Sequence, residues 1–285
     1  MPSASHIGLT PPPRIHRPES TATCAAEPAY SIGTLVTNRP QYEAMLASFR
    51  AHGFADETCE FLFIDNTGTQ QTSAYAGLNA LLNAARANTV ILCHQDVRLI
   101  GDDRTTLDAR LAALGATDPA WALAGNAGGM APGKLAMRIT DPHGENQNFG
   151  PFPARVSSLD ENFIVVRRDA RIGFSRDLSG FHFYGADICL QAGIAGYSAY
   201  VIDFHLEHLS GGRKAQDFYE AEQAFVTKWS KALEPRWIQT TCSLVHLTGG
   251  PVRASLGRLI DRPVARLLRR LPGSRGFKRS KMKPA

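Results

Sequence analysis

The sequence lacks several features that would place it in a familiar class. No CxxC pair occurs among its five cysteines, which are odd in number and spread along 285 residues. A zinc ribbon, a thioredoxin-type motif and a disulfide framework are therefore disfavoured. No apolar run approaches the roughly 18 residues of a membrane span, and the first residues hold no apolar segment typical of a secretory signal. These absences predict a cytoplasmic protein of a reducing compartment, neither integral to a membrane nor conventionally secreted.

Familiar nucleotide and nucleophile motifs are missing as well. Neither GxGxxG nor GxSxG is present. Gly128 and Gly133 have the spacing of a P-loop, but Leu135 stands where a Ser or Thr would bind magnesium, so we reject that match. The residues around Glu207 and His208 fit neither HExxH nor HxxEH, which disfavours a zinc peptidase.

Positive charge is concentrated at the end of the chain. Residues 253–285 hold eleven basic side chains and one acid, so at an overall charge of +5 the preceding residues carry a net charge of −5. Arginine recurs at every fourth position from Arg258 to Arg270, with leucines on another face, which predicts a basic helical tail. Such a helix suits an anionic membrane surface, whereas the scarcity of aromatic side chains disfavours nucleic acid. A solvated helical extension explains the composition equally well.

Apolar strands alternate with amphipathic helices after a polar, proline-rich leader. The leader, residues 1–30, shows no periodicity and is predicted to be disordered. A domain is predicted over 31–245 and the basic tail over 246–285, and the Gly-, Pro- and Asn-rich stretch 126–152 predicts an irregular loop. Strands are predicted at 31–37, 60–64 and 89–93, and helices at 41–52 and 73–87. Fully apolar strands separated by helices predict an α/β fold with an open, mostly parallel sheet flanked by helices.

All three predicted strands end in polar residues. These are Thr37, Asn38 and Arg39 after the first strand, Asp65 and Asn66 after the second, and His94, Gln95 and Asp96 after the third. Ligands of open parallel sheets bind beyond the carboxyl ends of the strands, so a polar ligand is predicted at this edge. Asp96, two residues after His94, is suited to a divalent cation that neutralises a diphosphate. A capping or surface aspartate is an equal alternative.

Two later segments also hold residues suited to chemistry. Asp187 lies among aromatic and apolar residues at a predicted helix start, where an acid can be tuned as a general base. The pattern alone favours a structural acid, because negative charge in a first helical turn is stabilised by the helix dipole. His208 precedes a glycine pair followed by Arg213 and Lys214, which suits a loop that closes over phosphates. An ordinary surface turn explains this loop equally well.

Taken in order, these residues resemble the GT-A glycosyltransferases, specifically the family-2-like inverting group, over residues 31–213. The matching pieces are Thr37-Asn38-Arg39, Asp65-Asn66, Gly77 with Asn79 and Asn83, His94-Gln95-Asp96 at the "DxD" position, Asp187, and His208-x-Ser-Gly-Gly. The resemblance implies a GT-A fold and the transfer, with inversion, of a sugar from a nucleotide-diphosphate sugar to an acceptor hydroxyl. The expected setting is surface glycan synthesis.

The resemblance also implies roles for individual residues. Asp65 would contact the nucleotide base, Asp96 a metal and the sugar diphosphate, and Asp187 would deprotonate the acceptor hydroxyl. His208 would be a further metal or phosphate contact. The remaining donor-site residues are expected to be Thr37, Asn38, Arg39, Asn66, Asn79, Arg213 and Lys214. His94 replaces the first acid of DxD and so removes one charge from a site expected to hold Mn²⁺ or Mg²⁺.

The expected partners are a nucleotide-sugar donor, a glycan or lipid-linked acceptor and, through the tail, the anionic inner face of a membrane. No nucleic acid is expected. The alternative is a noncatalytic nucleotide-sugar-binding or scaffold protein, for which His94 leaves room, whereas Asp187 favours an enzyme. A nucleotidyltransferase is disfavoured because residues 37–41 lack a glycine-rich basic segment. The enzyme hypothesis requires Asp96 and Asp187 to share one acidic cleft.

Overall fold

The computed structural model describes residues 13–20, 22–212, 215–239, 244–249 and 267. Arg213, Lys214 and the basic helix predicted for the tail lie outside these residues, apart from Leu267. The chain divides into two compact units, residues 1–223 and 224–285. None of the helices in the described part of the chain has the length and hydropathy that a membrane crossing requires.

Within the described residues, the secondary structure comprises sixteen strands, five α-helices and one short 3-10 helix (Arg168–Ala170). The strands are β1 (Ile15–His16), β2 (Tyr30–Val36), β3 (Cys59–Asp65), β4 (Thr89–Cys93), β5 (Val97–Arg98), β6 (Trp121–Gly125), β7 (Ala127–Ala131), β8 (Lys134–Asp141), β9 (Gly144–Phe149), β10 (Ala154–Val156), β11 (Ser158–Leu159), β12 (Phe163–Arg167), β13 (Ser198–Val201), β14 (Leu206–His208), β15 (Arg236–Gln239) and β16 (Leu244–Leu247). The helices are α1 (Arg39–Ala51), α2 (Ala74–Ala84), α3 (Arg104–Thr117), α4 (Tyr184–Ile194) and α5 (Gln216–Ala232).

The main sheet of the first unit has the strand order β1-β3-β2-β4-β12-β6-β13-β10. β2, β3 and β4 are parallel, β12 runs antiparallel between β4 and β6, and β13 is parallel to β6. Five of the eight strands, namely β2, β3, β4, β6 and β13, therefore share one direction. The open, mostly parallel sheet with flanking helices is confirmed.

Local sequence signals explain where the first two helices begin and how one of them packs. Asn38 caps α1 by accepting the main-chain N–H of Gln41, and Ser73 caps α2 in the same way. Helix α2 lies close against β2 because Gly77 has no side chain. A Cβ atom at Gly77 would lie 2.6 Å from Cδ2 of Leu35, which is too short a distance for two carbon atoms.

Two residues of the predicted leader form a strand. β1 pairs antiparallel with β3, where Ile15 lies opposite Ile64 and His16 opposite Phe63. The His16 ring stacks on the Phe63 ring at a centroid distance of 5.2 Å. β1 therefore covers the edge of β3, which would otherwise present unpaired main-chain groups to solvent.

The irregular loop predicted over 126–152 is wrong, because most of it forms strands of a second sheet. Its order is β11-β7-β8-β14-β5, and β9 also pairs with β8. Gly133, at φ +73°, allows the turn between β7 and β8, so glycine here marks a hairpin and not a loose segment. β14 pairs with β5 so that His208 lies opposite Val97. This pairing brings His208 beside Asp96, 112 positions earlier in the sequence.

In the second unit, β15 and β16 form an antiparallel pair that runs from Arg236 opposite Leu247 to Gln239 opposite Leu244. The guanidinium of Arg236 donates to the carbonyls of Lys231 and Ala232, near the end of α5. These bonds satisfy carbonyl groups that a helix end leaves without partners.

Candidate metal and ligand site

A cavity of about 300 Å³ opens at the carboxyl ends of β2 and β4, the edge at which the sequence predicts a polar ligand. Polar and ionisable side chains on its wall come from strand ends, from the segment before β12, from the segment before α4 and from the loop after β14. They are Thr37, His94, Gln95, Asp96, Glu161, His182, Tyr184 and Ser210. Of the predicted site residues, Thr37, His94 and Asp96 therefore line the cavity itself.

The three predicted metal ligands lie together. His94, Asp96 and His208 each offer a ligand atom within 4.8 Å of the others. Nε2 of His208 is 3.2 Å from Nδ1 of His94 and 3.4 Å from Oδ1 of Asp96. The main chain fixes this arrangement, since the N–H of Leu209 donates to the carbonyl of Asp96.

Tyr184 determines which ring nitrogen of His94 faces the cluster. The Tyr184 hydroxyl donates to the carbonyl of Glu161 and lies 2.8 Å from Nε2 of His94. Having donated its only proton, the hydroxyl must accept from His94, so we place the His94 proton on Nε2. Nδ1 is then an unprotonated nitrogen directed at His208. Burial, with the neighbouring His208, lowers the pKa of His94 to about 4, so the ring is neutral at pH 7.

Asp96 is ionised although it is buried. Burial alone would raise the pKa of Asp96, but hydrogen bonds to His208 and Ser210, together with the nearby imidazoles, hold it well below the usual range. A neutral nitrogen of His94, a second imidazole and a carboxylate form a donor set that fits a divalent cation. Nδ1 of His94 and Oδ1 of Asp96 both face Nε2 of His208, and a cation that took the place of the proton on that nitrogen would be held by all three groups.

Glu161 is a site residue that sequence reasoning missed. Its partly buried carboxyl lines the cavity, and Oε1 lies 3.4 Å from the N–H of Gly185 at the start of α4. Burial, followed by the charge of Asp160, raises the pKa of Glu161 to about 8. Glu161 precedes β12, which runs antiparallel, so the beginning of this strand reaches the edge at which β2 and β4 end. The direction of β12 is not encoded in its own apolar sequence, which is why the pattern gave no signal.

Asp187 lies in the first turn of α4 and is completely buried. Its two oxygens accept hydrogen bonds from Ser175, from the main-chain N–H at 2.7 Å and from the hydroxyl at 2.6 Å. Asp187 does not line the cavity that Asp96 borders. The acidic cleft shared by these two residues stays a prediction, as does the role of Asp187 as a base.

The first and third strand ends are joined by Gln95. Oε1 of Gln95 accepts from the main-chain N–H groups of Thr37 and Asn38 at 2.8 Å each, and Nε2 donates to the Thr37 hydroxyl. Asn38 also caps α1. These residues shape the rim of the cavity, and their direct contact with a nucleotide stays a prediction.

Arg39 and Asp65 form an exposed ion pair with an N–O distance of 2.7 Å. The guanidinium of Arg39 also lies over the Phe63 ring, 4.3 Å from its centroid. Hydrogen bonds from Thr67, together with Arg39, hold the pKa of Asp65 far below its usual value. Both oxygens of Asp65 accept hydrogen bonds within the protein, Oδ1 from Thr67 and Oδ2 from Arg39, and the contact of Asp65 with a nucleotide base stays a prediction.

Asn66 and Asn79 use their carboxamides within the protein. Asn66 is completely buried and exchanges two hydrogen bonds with the main chain of Thr72. Asn79 does the same with Phe174, at 2.9 Å in both directions. Both asparagines therefore hold loops in place, and their direct contact with a donor stays a prediction.

One curated protein is clearly related to the chain. The protein named ATP synthase subunits region ORF 6, from Fuscovulum blasticum, is 35% identical over 229 residues, which are 78% of this chain and 91% of that protein. Its name states no activity. No protein-family model matches the chain.

Three solved structures resemble the chain in fold. A mannosyltransferase from Pyrobaculum calidifontis in complex with GDP-Man and Mn²⁺ has a TM-score of 0.47 and 15% identity, over 72% of this chain and 64% of its own. TarS from S. aureus in complex with UDP-GlcNAc has a TM-score of 0.48 and 12% identity, over 70% of this chain and 66% of its own. GalNAc-T7 with UDP, GalNAc and Mn²⁺ has a TM-score of 0.47 and 8% identity, over 70% of this chain and 48% of its own. The chain spans less than two thirds of the length of these proteins.

Proposed function

We propose that this chain, which belongs to the same family as the Fuscovulum blasticum protein, is a nucleotide-sugar-dependent glycosyltransferase. It transfers a sugar, with inversion, from a nucleotide-diphosphate sugar to an acceptor hydroxyl. One observation carries the proposal. His94, Asp96 and His208 converge beside a cavity at the carboxyl edge of a GT-A-like sheet, and the same cavity holds a carboxyl group with a raised pKa, Glu161.

The cluster of His94, Asp96 and His208 would hold the divalent cation. When bound, the cation would supply positive charge that neutralises the departing nucleoside diphosphate. Mn²⁺ fits this donor set better than Mg²⁺, because Mg²⁺ prefers ligand sets made of oxygen atoms and retained waters. Asp65 and Arg39 would contact the nucleoside from the exposed rim, and Thr37 and Asn38 would present main-chain and side-chain groups to the donor. Arg213 and Lys214, outside the described residues, complete the proposed phosphate contacts.

Inverting transfer also needs a base within hydrogen-bond distance of the acceptor hydroxyl. Glu161 borders the cavity, and its raised pKa makes its ionised form a competent proton acceptor near neutral pH. Asp187 is the base that the family resemblance implies, but both of its oxygens accept hydrogen bonds from Ser175. The geometry therefore favours Glu161, with Asp187 as the alternative.

Donor hydrolysis tests the proposal without knowledge of the acceptor. The chain is incubated with Mn²⁺ and labelled UDP-, GDP- and dTDP-sugars, and release of free sugar is followed for wild type, Asp96→Asn, Glu161→Gln and Asp187→Asn. Glu145→Gln, which alters an exposed glutamate on β9, is the matched control. We expect hydrolysis of at least one donor, its loss in Asp96→Asn, and a decrease of about 100-fold in Glu161→Gln with donor affinity retained.

The variants also separate the alternatives. A loss confined to Asp187→Asn, in a protein that still binds the donor, would assign the base to Asp187. Donor binding without hydrolysis in wild type would favour the noncatalytic alternative. Failure to bind any of the three donors would contradict the proposal as a whole.

The acceptor is proposed to be a glycan or a lipid-linked sugar used in surface glycan synthesis. The proposed location is cytoplasmic, with the basic residues 253–285 holding the protein at the inner face of a membrane. Deletion of residues 253–285 is expected to release the protein from anionic vesicles, and unchanged retention would contradict the membrane role.

A further inference from the structure

A second and larger cavity, of about 850 Å³, lies in the first unit and shares no lining residue with the first. Its wall is formed by α2, by the end of α4 and by the segment between β12 and α4. The polar residues of this wall are Asn79, Asn83, Asn88, Arg168, Asp169, Arg171, Arg176 and Gln191. The volume is within the range of small-molecule pockets and far exceeds what a single ion needs.

Three arginines give this cavity its charge. Arg168, Arg171 and Arg176 are exposed at the wall, and within the described part of the chain none of them forms an ion pair. The acid of the lining, Asp169, is paired with Arg167 at 2.7 Å. The cavity therefore presents three guanidinium groups without a carboxylate to neutralise them, although that of Arg168 also donates to the main-chain carbonyl of Ala85. An uncompensated set of this kind attracts an anion, and the planar guanidinium fork matches phosphate oxygens.

The segment that bears Arg171 and Arg176 is fixed from two sides. Asn79 bonds to both main-chain groups of Phe174, and Asp187 accepts the two hydrogen bonds from Ser175. At Gly173 the main chain comes so close to α2 that a Cβ atom would lie 2.7 Å from Oδ1 of Asn79. The side chains of Arg171 and Arg176 thus project from a stretch of main chain that is held in place. This reduces the conformational entropy that is lost when they bind a ligand. Asn79 and Asp187 act here as positioning residues.

Hydrogen-bonding side chains extend the same wall. Asn83 on α2 is exposed, and Gln191 on α4 donates to the Ser175 hydroxyl at 3.2 Å. Carboxamides both donate and accept, so they can bind the hydroxyl groups or ester oxygens that accompany a phosphate. The combination differs from a merely solvated basic surface, because the arginines and amides line one open cavity.

We propose that this cavity binds a small phosphate-bearing molecule through Arg168, Arg171 and Arg176. The site extends to Asn88, which directly precedes β4, and so it reaches the opposite edge of the sheet from the cavity beside Asp96. The inference does not depend on the proposed glycosyltransferase activity. Free polyphosphate and a phosphorylated sugar share the recognised group, and two probes separate them.

The test is calorimetric binding of inorganic pyrophosphate and of glucose 1-phosphate in the presence of EDTA, so that a metal-dependent site does not contribute. The variant is the double substitution Arg171→Gln and Arg176→Gln, and the matched control is Arg155→Gln, an exposed arginine on β10 outside the cavity. We expect at least one probe to bind wild type and Arg155→Gln alike, and to bind the double variant at least 10-fold more weakly. The tighter of the two probes identifies the source of the phosphate.

A second readout locates the site directly. Phenylglyoxal modifies exposed arginines, and peptide mass spectrometry reports each position separately. We expect the tighter probe to protect Arg171 and Arg176 but not Arg155. Because all three arginines are exposed, we expect unchanged thermal unfolding of the variants, which shows that they fold. Equal affinity of wild type and double variant, protection of none of the cavity arginines, or no binding of either probe would overturn the proposal.

Discussion

At the scale of single residues, Tyr184 controls the chemistry of the candidate metal site without lying among its ligands. Its hydroxyl accepts a hydrogen bond from Nε2–H of His94, which places the unprotonated Nδ1 toward the cluster. Groups that orient a metal-ligating histidine contribute to affinity, and their loss costs about 10- to 100-fold. Tyr184→Phe is therefore expected to weaken Mn²⁺ binding by at least about 10-fold, measured by calorimetric titration.

Tyr75→Phe is the control for this prediction. Tyr75 is a buried tyrosine whose ring contacts that of Tyr184, but its hydroxyl donates to the carbonyl of His182 and to no metal ligand. We expect its Mn²⁺ affinity to stay within about twofold of wild type. Equal affinities in both variants would mean that the hydroxyl of Tyr184 does not orient His94.

The raised pKa of Glu161 predicts a specific pH dependence of stability. Between its ordinary value of 4.5 and its folded value of about 8, the folded protein holds a proton that the unfolded chain has released. The stabilisation is complete below pH 4.5 and is lost as the pH rises through about 8, so this residue makes the free energy of unfolding fall with pH. In urea unfolding with EDTA present, we expect the decrease from pH 5 to pH 8 to be smaller by about 1 kcal/mol in Glu161→Gln. The same decrease in both proteins would contradict an environment that keeps Glu161 protonated.

The sequence predicts part of the site residue by residue, and the reason is topological. His94, Asp96 and Thr37 follow parallel strands, whose ends must meet at one edge, so the pattern places them together. Glu161 precedes β12 and Tyr184 is the first residue of α4, and only the antiparallel course of β12 and the path into α4 bring them to that edge. Asn66 bonds to the main chain of Thr72 in the loop that follows it, and Asn79 on α2 bonds to the main chain of Phe174, 95 positions later. An isolated asparagine in a sequence does not reveal such partners, and direct contact of either residue with a ligand stays a prediction.

At the scale of elements, the connection between β12 and α4 depends on the contact between Asp187 and Ser175. Two hydrogen bonds to a fully buried carboxylate hold the middle of this segment. Asp187→Asn removes the charge and one acceptor, so we expect a loss of about 2 kcal/mol in the free energy of unfolding, measured with urea. Ser175→Ala is expected to lose less, because the main-chain N–H still donates.

Combining Asp187→Asn with Ser175→Ala shows whether the two single losses of stability come from one shared contact or from independent effects. In a cycle of Asp187→Asn, Ser175→Ala and both together, we expect a coupling of at least about 0.5 kcal/mol. The exposed variant Glu145→Gln should leave the free energy of unfolding unchanged. Additive losses would show that Asp187 stabilises the protein through other partners.

Element prediction works best where apolar strands and amphipathic helices alternate regularly. The predicted strands and the helices capped by Asn38 and Ser73 match β2, β3, β4, α1 and α2 closely. The stretch 126–152 fails because glycine and asparagine suggest a loop, whereas β7, β8 and β9 are stabilised by pairing with one another and with β14. Pairing across the chain is a non-local effect that no short window of sequence contains.

At the scale of the whole molecule, the first unit places two different ligand environments at opposite edges of one sheet. The smaller cavity combines imidazoles and carboxyl groups at the carboxyl ends of β2 and β4. The larger one combines arginines and carboxamides, and it extends to the residue that precedes β4. The connection from β12 to α4 contributes to both, since it leads from Arg168 to Tyr184. The two cavities are therefore joined by one connecting segment.

The central claim is that residues far apart in the sequence form one cation site for a nucleotide sugar. Electron paramagnetic resonance of Mn²⁺ measures it most directly, because the signal of free Mn²⁺ decreases as the ion binds. The account predicts one Mn²⁺ per chain in wild type, its loss in the combined variant Asp96→Asn and His208→Gln, and a change in the bound signal when UDP or GDP is added. Equal binding of Mn²⁺ by wild type and the variant would contradict it.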